Sequence, residues 1–190
     1  MKDISAIQTL GLVETRTIAR GVALTDAMVQ AADVRLLRGR PICSGRYMIQ
    51  ISGDEAGVKA ALDVAQAENP FALCRVSRVS GEVLAAMGKT RALGPGMALG
   101  LLESRKSITG IKAADAAVKA AQVRLARITL AQGINGKSYL VMGGSVSAVS
   151  AAVDAGAQAL GKDLVDRLVI ASPDDATVRS LCPLDSEVHM

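Results

Sequence analysis

Leu10-Gly11-Leu12-Val13-Glu14-Thr15-Arg16 is written a second time as Leu99-Gly100-Leu101-Leu102-Glu103-Ser104-Arg105. Laid over each other without a gap, residues 10–36 and 99–125 agree at about half of their positions. The identities include Gly21/Gly110, Asp26-Ala27/Asp115-Ala116, Ala31-Ala32/Ala120-Ala121 and Val34-Arg35-Leu36/Val123-Arg124-Leu125. After a shift of two residues the likeness resumes: Gly45-Arg46 faces Gly136-Lys137, Gly53 faces Gly144, and residues 58–63 face 149–154. The second copy therefore carries two extra residues between about 37 and 135. The chain is a tandem duplication of a unit of roughly 90 residues, and such self-similarity takes precedence over any single motif.

With 190 residues and a duplicated unit, two domains are expected: 4–87 and 97–181, with a linker at 88–96 and a tail at 182–190. Half of the residues are hydrophobic, yet the aromatics are only two tyrosines and one phenylalanine. Apolar content of Ala, Val, Leu and Ile suits close packing of helices on a sheet. A net charge of +4, with bases interleaved among acids and no aromatic platform, argues against nucleic-acid binding. No apolar run reaches the roughly 18 to 20 residues that span a bilayer. Met1-Lys2-Asp3-Ile4 lacks the apolar stretch of a signal peptide. Three cysteines, Cys43, Cys74 and Cys182, are an odd count that speaks against a disulfide framework. A reducing, cytoplasmic setting fits.

Alternation and turn residues give the order of elements. Strand 9–14 leads to helix 18–32, capped by Thr17 or Thr15. Strand 34–38 follows, then a turn over Gly39-Arg40-Pro41-Ile42-Cys43-Ser44-Gly45. Strand 47–51, helix 54–67, strand 73–79 and a short helix 80–87 complete the first copy. The second copy repeats the plan with strand 97–103, helix 107–121, strand 123–130, loop 131–136, strand 137–143, helix 145–160, strand 164–170 and a short helix near 173–181. Each copy is βαββαβ plus a small helix. This implies an α+β layer, one sheet with helices on one face and the other face open.

Several patterns mislead. Ala131 to Ser138 satisfies a relaxed phosphate-loop pattern, but Tyr139-Leu140-Val141-Met142 reads as a strand where that motif requires a helix. Gly94-Pro95-Gly96 is a linker, since no strand–turn–helix surrounds it. His189, the single histidine, is next to the end, so no Ser/His/Asp set can form. Glu14 and Glu103, beside Arg16 and Arg105, read as surface ion pairs or strand-end caps. An enzymatic site is not expected.

The motif Leu-Gly-Leu-(Val/Leu)-Glu-(Thr/Ser)-Arg, followed by Ala114-Asp115-Ala116-Ala117-Val118-Lys119-Ala120-Ala121 and Val123-Arg124-Leu125, resembles the bacterial microcompartment (BMC) shell domain. The resemblance covers both copies. It implies two tandem domains of the ferredoxin-like α/β sandwich type. It also implies a homotrimer that mimics a hexamer, a flat tile packed beside other shell proteins, and a pore on the threefold axis. Location in a microcompartment shell within the cytoplasm follows, without membrane or nucleic-acid partners. Lys119 matches the family's tile-edge lysine; Gln30 stands in its place in the first copy.

The loop before each third strand lines the pore in this family: Ile42, Cys43, Ser44 and Gly45 in one copy, Gly133, Ile134, Asn135 and Gly136 in the other. Ile42-Cys43-Ser44-Gly45 is similar to the Ile-Cys-Pro-Gly loop of the propanediol-utilisation T subgroup, with Ser44 in place of the proline. In that subgroup three symmetry-related thiolates hold a [4Fe–4S] cluster, so the resemblance implies one cluster per trimer through Cys43. Electron transfer or cluster exchange across the shell, with an encapsulated redox enzyme as partner, is the implied role. A cluster usually needs four thiolates, and a trimer supplies three at one point, leaving one iron open. Zinc with three sulfurs and a water competes, as does a metal-free pore that conducts small metabolites. Cys74, in an apolar strand, reads as a small hydrophobe and Cys182 as an incidental thiol.

Overall fold

The computed structural model describes residues 8–131 and 133–182; His189 and most of the expected tail lie outside the described residues. The first repeat runs β1 (Thr9–Thr15), α1 (Ile18–Ala31), β2 (Arg35–Ile42), β3 (Arg46–Gly53), α2 (Glu55–Ala67), β4 (Ala72–Ser77) and α3 (Gly81–Gly88). The second runs β5 (Ala98–Ser104), α4 (Thr109–Ala120), β6 (Arg124–Leu130), β7 (Ser138–Gly144), α5 (Val146–Leu160), β8 (Leu164–Ile170) and α6 (Asp175–Leu181). The order and the α+β class are those expected. Thr17 is the cap that opens α1, its side chain accepting from the Arg20 N–H, and Asp54 caps α2 in the same way through Gly57.

Most boundaries move by one or two residues, and the largest difference is at β2. β2 does not stop at Arg38 but continues through Pro41 to Ile42. The two sheets have the orders β2-β3-β1-β4 and β6-β7-β5-β8, antiparallel throughout, so β2 is an edge strand. Proline is tolerated there because one side of an edge strand has no ladder to complete. Arg35, Leu36, Arg38 and Pro41 are exposed along this edge. The equivalent edge of the second sheet is covered. Arg91 donates its backbone N–H to the Ala126 carbonyl at 2.8 Å, and Glu82 of α3 accepts the Leu125 N–H at 2.9 Å.

Residue alternation decides which face of each sheet meets the helices. In the first repeat Val13, Tyr47, Ile49 and Ile51 pack against Leu24 and Met28 of α1 and Val58, Ala61, Leu62 and Ala65 of α2. The opposite face is not left open, contrary to the sequence expectation. Leu10, Leu12, Glu14 and Met48 are fully buried there. Part of the cover is local, because Lys106–Ile108 and Ala131–Gly136 belong to the same compact unit as β1 to β4. The second unit holds Ser80–Arg105, Thr109–Leu130 and the chain from Lys137 onward, so α3 packs with it.

In the second unit small residues bring α4 and α5 close together. A Cβ on Gly156 would lie 2.4 Å from Leu102 Cδ1 and 3.2 Å from the Ala113 carbonyl. Leu24 and Met28 replace the equivalent Ala113 and Ala117 in the first repeat. There an open groove of about 820 Å³ runs between α1 and the end of α2, lined by Arg16, Arg20, Leu24, Val64 and Glu68.

The carboxylates read as surface groups differ between repeats. Glu14 is fully buried and pairs with Arg46, not Arg16: Nη1 lies 2.7 Å from Oε2, and the Ile108 N–H donates to Oε1 at 2.9 Å. Burial pushes its carboxyl above the ordinary range, opposed first by the Ile108 N–H and then by Arg46. Glu103 makes the duplicate pair with Lys137 at 2.8 Å, but both side chains are partly exposed. Glu14→Ala is therefore expected to cost about 3 kcal/mol, since it strands a buried guanidinium. Glu103→Ala should cost less than about 1 kcal/mol, as exposed pairs do. Urea unfolding of both variants checks the contrast.

Candidate functional site

The two loops that precede the third strands come together within the first compact unit. Strand register fixes how they correspond. Arg38 to Pro41 pair with β3 as Arg127 to Leu130 pair with β7, with the same bulge after Leu36 and Leu125. The two extra residues of the second repeat are therefore Gln132 and Gly133, in the loop itself, and Cys43, Ser44 and Gly45 correspond to Ile134, Asn135 and Gly136.

The backbone agrees with that correspondence. Ser44 and Asn135 have φ of 71° and 53°, and Gly45 and Gly136 have φ of 70° and 75°. A proline ring holds φ near −65°, so the chain could not take this shape with proline at 44. The serine departure from the subgroup loop thus changes its geometry. Ser44 Oγ donates to Asn135 Oδ1, which joins the two loops.

Cys43 is half-buried, and its Sγ accepts the Gly133 N–H at 3.3 Å. One of the two inserted residues is thus the donor to the thiol. This bond is the main reason the Cys43 thiol titrates below its ordinary range. Partial burial opposes it, and the Ile134, Gly136 and Asn135 amides add to the lowering. Successive N–H groups converging on one point form a nest that favours an anion, here a thiolate. Ile42 is buried, whereas Ser44, Gly45, Gly133 and Asn135 are exposed and Ile134 half-exposed.

Arg46 fixes the position of this nest. Its guanidinium lies 4.3 Å from the Phe71 ring centroid, paired with Glu14, and a Cβ on Gly136 would meet its Nη2 at 1.6 Å. Gly136 is therefore required twice, for its positive φ and for the space. Sequence reading missed Arg46; the signal was its place beside Gly45, matched by Lys137 beside Gly136.

The other candidates lie apart from this site or in simpler settings. Lys119 pairs with Asp115, and Gln30 donates to Asp26 at 2.8 Å, the same i,i+4 pair in each repeat. Cys74 donates its S–H to the Ile108 carbonyl at 3.8 Å. Cys182 is not incidental: it is buried against Leu99, Ala126 and Val141, and burial raises its thiol above the ordinary range. Ser138 opens strand β7, so the phosphate-loop pattern lacks its helix. Among the described residues no three His, Cys, Asp or Glu side chains converge as a metal site. One chain thus offers a cluster one thiol, already biased toward the thiolate that iron binds. That single donor does not by itself hold a cluster, which usually takes four thiolates.

A duplicated four-stranded sheet backed by helices, with both pre-β3 loops meeting at a thiol, defines a structural protein with a loop-lined site. The BMC domain model matches residues 9–78 and 98–173, and the chain belongs to the BMC-domain family as a shell protein of a bacterial microcompartment. It is 33% identical to the microcompartment shell protein PduT of Citrobacter freundii, over 92% of this chain and 97% of that one. A carboxysome shell protein, CsoS1A of Hydrogenovibrio crunogenus, is 43% identical over 81 residues, covering 41% of this chain and 82% of its own. A crystal structure of a microcompartment protein from Desulfitobacterium hafniense DCB matches with a TM-score of 0.79 and 37% identity, over 92% of this chain and 99% of that chain. A fused permuted hexameric shell protein from the RMM microcompartment shares the fold, with a TM-score of 0.63 at 21% identity, over 80% and 81% of the two chains. No helix among the described residues is long and apolar enough to cross a membrane.

The Cys43 thiol should alkylate at lower pH than an ordinary cysteine. Because its folded value lies below its unfolded one, the stability contributed by the thiolate is full above the unfolded value and is lost as pH falls through the folded one. The pH dependence of iodoacetamide labelling, followed by peptide mass mapping, gives the midpoint directly. Cys182 should label only above the ordinary thiol range.

Proposed function

We propose that three copies of this chain assemble into a pseudohexameric shell tile, and that Cys43 of each copy supplies one thiolate to a [4Fe–4S] cluster on the threefold axis. The observation that carries the reading is the hydrogen bond from Gly133 N–H to Cys43 Sγ, 3.3 Å long, at a partly accessible thiol. A cysteine held as thiolate in an amide nest is a prepared ligand for iron, and hydrogen bonds to ligand sulfur tune a cluster's potential. Ser44 and Asn135 tie the two loops together, Gly136 leaves room for Arg46, and Ile42, Gly45, Gly133 and Ile134 add no charge to the pore lining. Bound there, the cluster would supply one-electron transfer, or exchangeable iron, between the two sides of the shell. An encapsulated redox enzyme would then be the partner on one side. Lys119 and Gln30 would lie at tile edges, against other shell proteins.

Protein purified without oxygen should absorb broadly toward the violet and contain about four irons per three chains, as one shared cluster requires. Cys43→Ser should lose the iron and keep the trimer. Iron retained by that variant would overturn the ligand assignment. A colourless wild-type trimer would leave a metal-free pore that passes a small polar metabolite, and zinc in place of iron would mark a three-sulfur site of the other kind.

A further inference from the structure

The groove between α1 and the end of α2 exists because the first repeat departs from the second in two ways. Helix α2 stops at Ala67, and Asn69 takes a φ of 48°, outside the helical range. Pro70 follows, and a proline disfavours helix in the residue before it. In the second repeat α5 runs on to Leu160, the residue that corresponds to Asn69. The side chains differ as well. Arg20 and Glu68 stand where the second repeat has Thr109 and Ala159. A helix shorter by two residues leaves the space, and long charged side chains flank it.

Its lining is apolar along one stretch and charged at one end. Ala23, Leu24, Ala27 and Val64 supply the apolar part, and Arg16, Arg20 and Glu68 the charged end. At about 1.5 Å of rise per residue, Ala27 lies about 10 Å along α1 from Arg20. The volume, about 820 Å³, is that of a small-molecule site. The charge at the end is unevenly spent. Arg20 pairs with Glu68 at 3.2 Å, both side chains mostly exposed. Arg16 makes no ion pair among the described residues, and its guanidinium lies 5.5 Å from the Phe71 ring centroid. Arg46 and Lys106 approach the same ring, at 4.3 Å and 6.0 Å. Glu14 pairs with Arg46 and is attracted by Lys106, so its charge is taken up there. Arg16 thus adds a positive charge to a cluster of cations at the end of an apolar groove.

We infer that this groove binds a small amphipathic anion, with a phosphate or carboxylate head on Arg16 and a short apolar chain laid along Ala23, Leu24, Ala27 and Val64. A guanidinium takes two oxygens of such a head at once, in a planar fork that suits either group. Arg20 is the second donor. To reach the head it leaves Glu68, and an exposed ion pair of that kind contributes little, so the exchange costs little. Glu68 opposes the ligand by its charge. None of these residues belongs to the Cys43 loops, so the site does not depend on the cluster or on the assembly.

Isothermal titration calorimetry of the full chain with hexyl phosphate and with hexanoate tests the site. Hexanol and inorganic phosphate serve as the two half-ligands. At least one amphiphile should bind, the tighter of the two naming the head group, and each half-ligand should bind at least about tenfold more weakly. Arg16→Gln should weaken the amphiphile about tenfold. Glu68→Gln should tighten it, since Arg20 is released and a negative charge removed, and a damaged fold could not produce that sign. Cys43→Ser should bind as wild type does. Failure of both amphiphiles to bind, or binding that Arg16→Gln and Glu68→Gln leave unchanged, overturns the site. Inorganic phosphate bound as tightly as hexyl phosphate overturns the apolar half of the assignment.

Discussion

A carboxylate with no access to water must be answered by charge and hydrogen bonds, and Glu14 sets that condition for the first repeat. Arg46 answers the charge, and the Ile108 amide takes the second oxygen. Both partners are then committed. Ile108 brings the turn before α4 onto the sheet, and Arg46, stacked on Phe71, lies where only glycine fits at 136. The loop that carries Gly136 also carries Gly133, whose amide faces Cys43. A chain of contacts therefore runs from a buried acid in β1 to the thiol proposed as an iron ligand.

The duplication, the element order and the loop residues were legible because each has a local signature: repeated glycines, alternation and turn chemistry. What the sequence hid was set by tertiary placement. Pro41 reads as a turn residue until the sheet order makes β2 an edge. Glu14 and Glu103 are identical in their motif, yet one is buried and the other partly exposed, because only one has a turn seated over it. The position of the extra pair Gln132-Gly133 was fixed only within a broad window, since loop residues carry little identity to align. Strand register narrowed it to the loop at Cys43. Cys182 looked incidental because it follows the last helical periodicity, although it completes a small apolar cluster with Leu99 and Val141.

The repeats have diverged where their surroundings differ. Ala113, Ala117 and Gly156 let α4 and α5 pack closely, whereas Leu24 and Met28 hold α1 and α2 apart and open the groove beside Arg16 and Arg20. An unfused repeat could not differ in this way. Two fused repeats can each take their own form, and a cysteine can then be placed in one loop alone, as Cys43 is.

The edge strand of the first sheet carries a consequence for solubility. An unpaired strand edge invites another strand to add to it. β6 is capped by backbone from Arg91, whereas Arg35, Leu36, Arg38 and Pro41 of β2 are exposed. β2 bears Arg35, Arg38 and Arg40 with Pro41 near its end. Like charges resist the parallel stacking of identical edges, and proline withholds one amide. Copies of the chain can then crowd together without polymerising through their sheets into fibres.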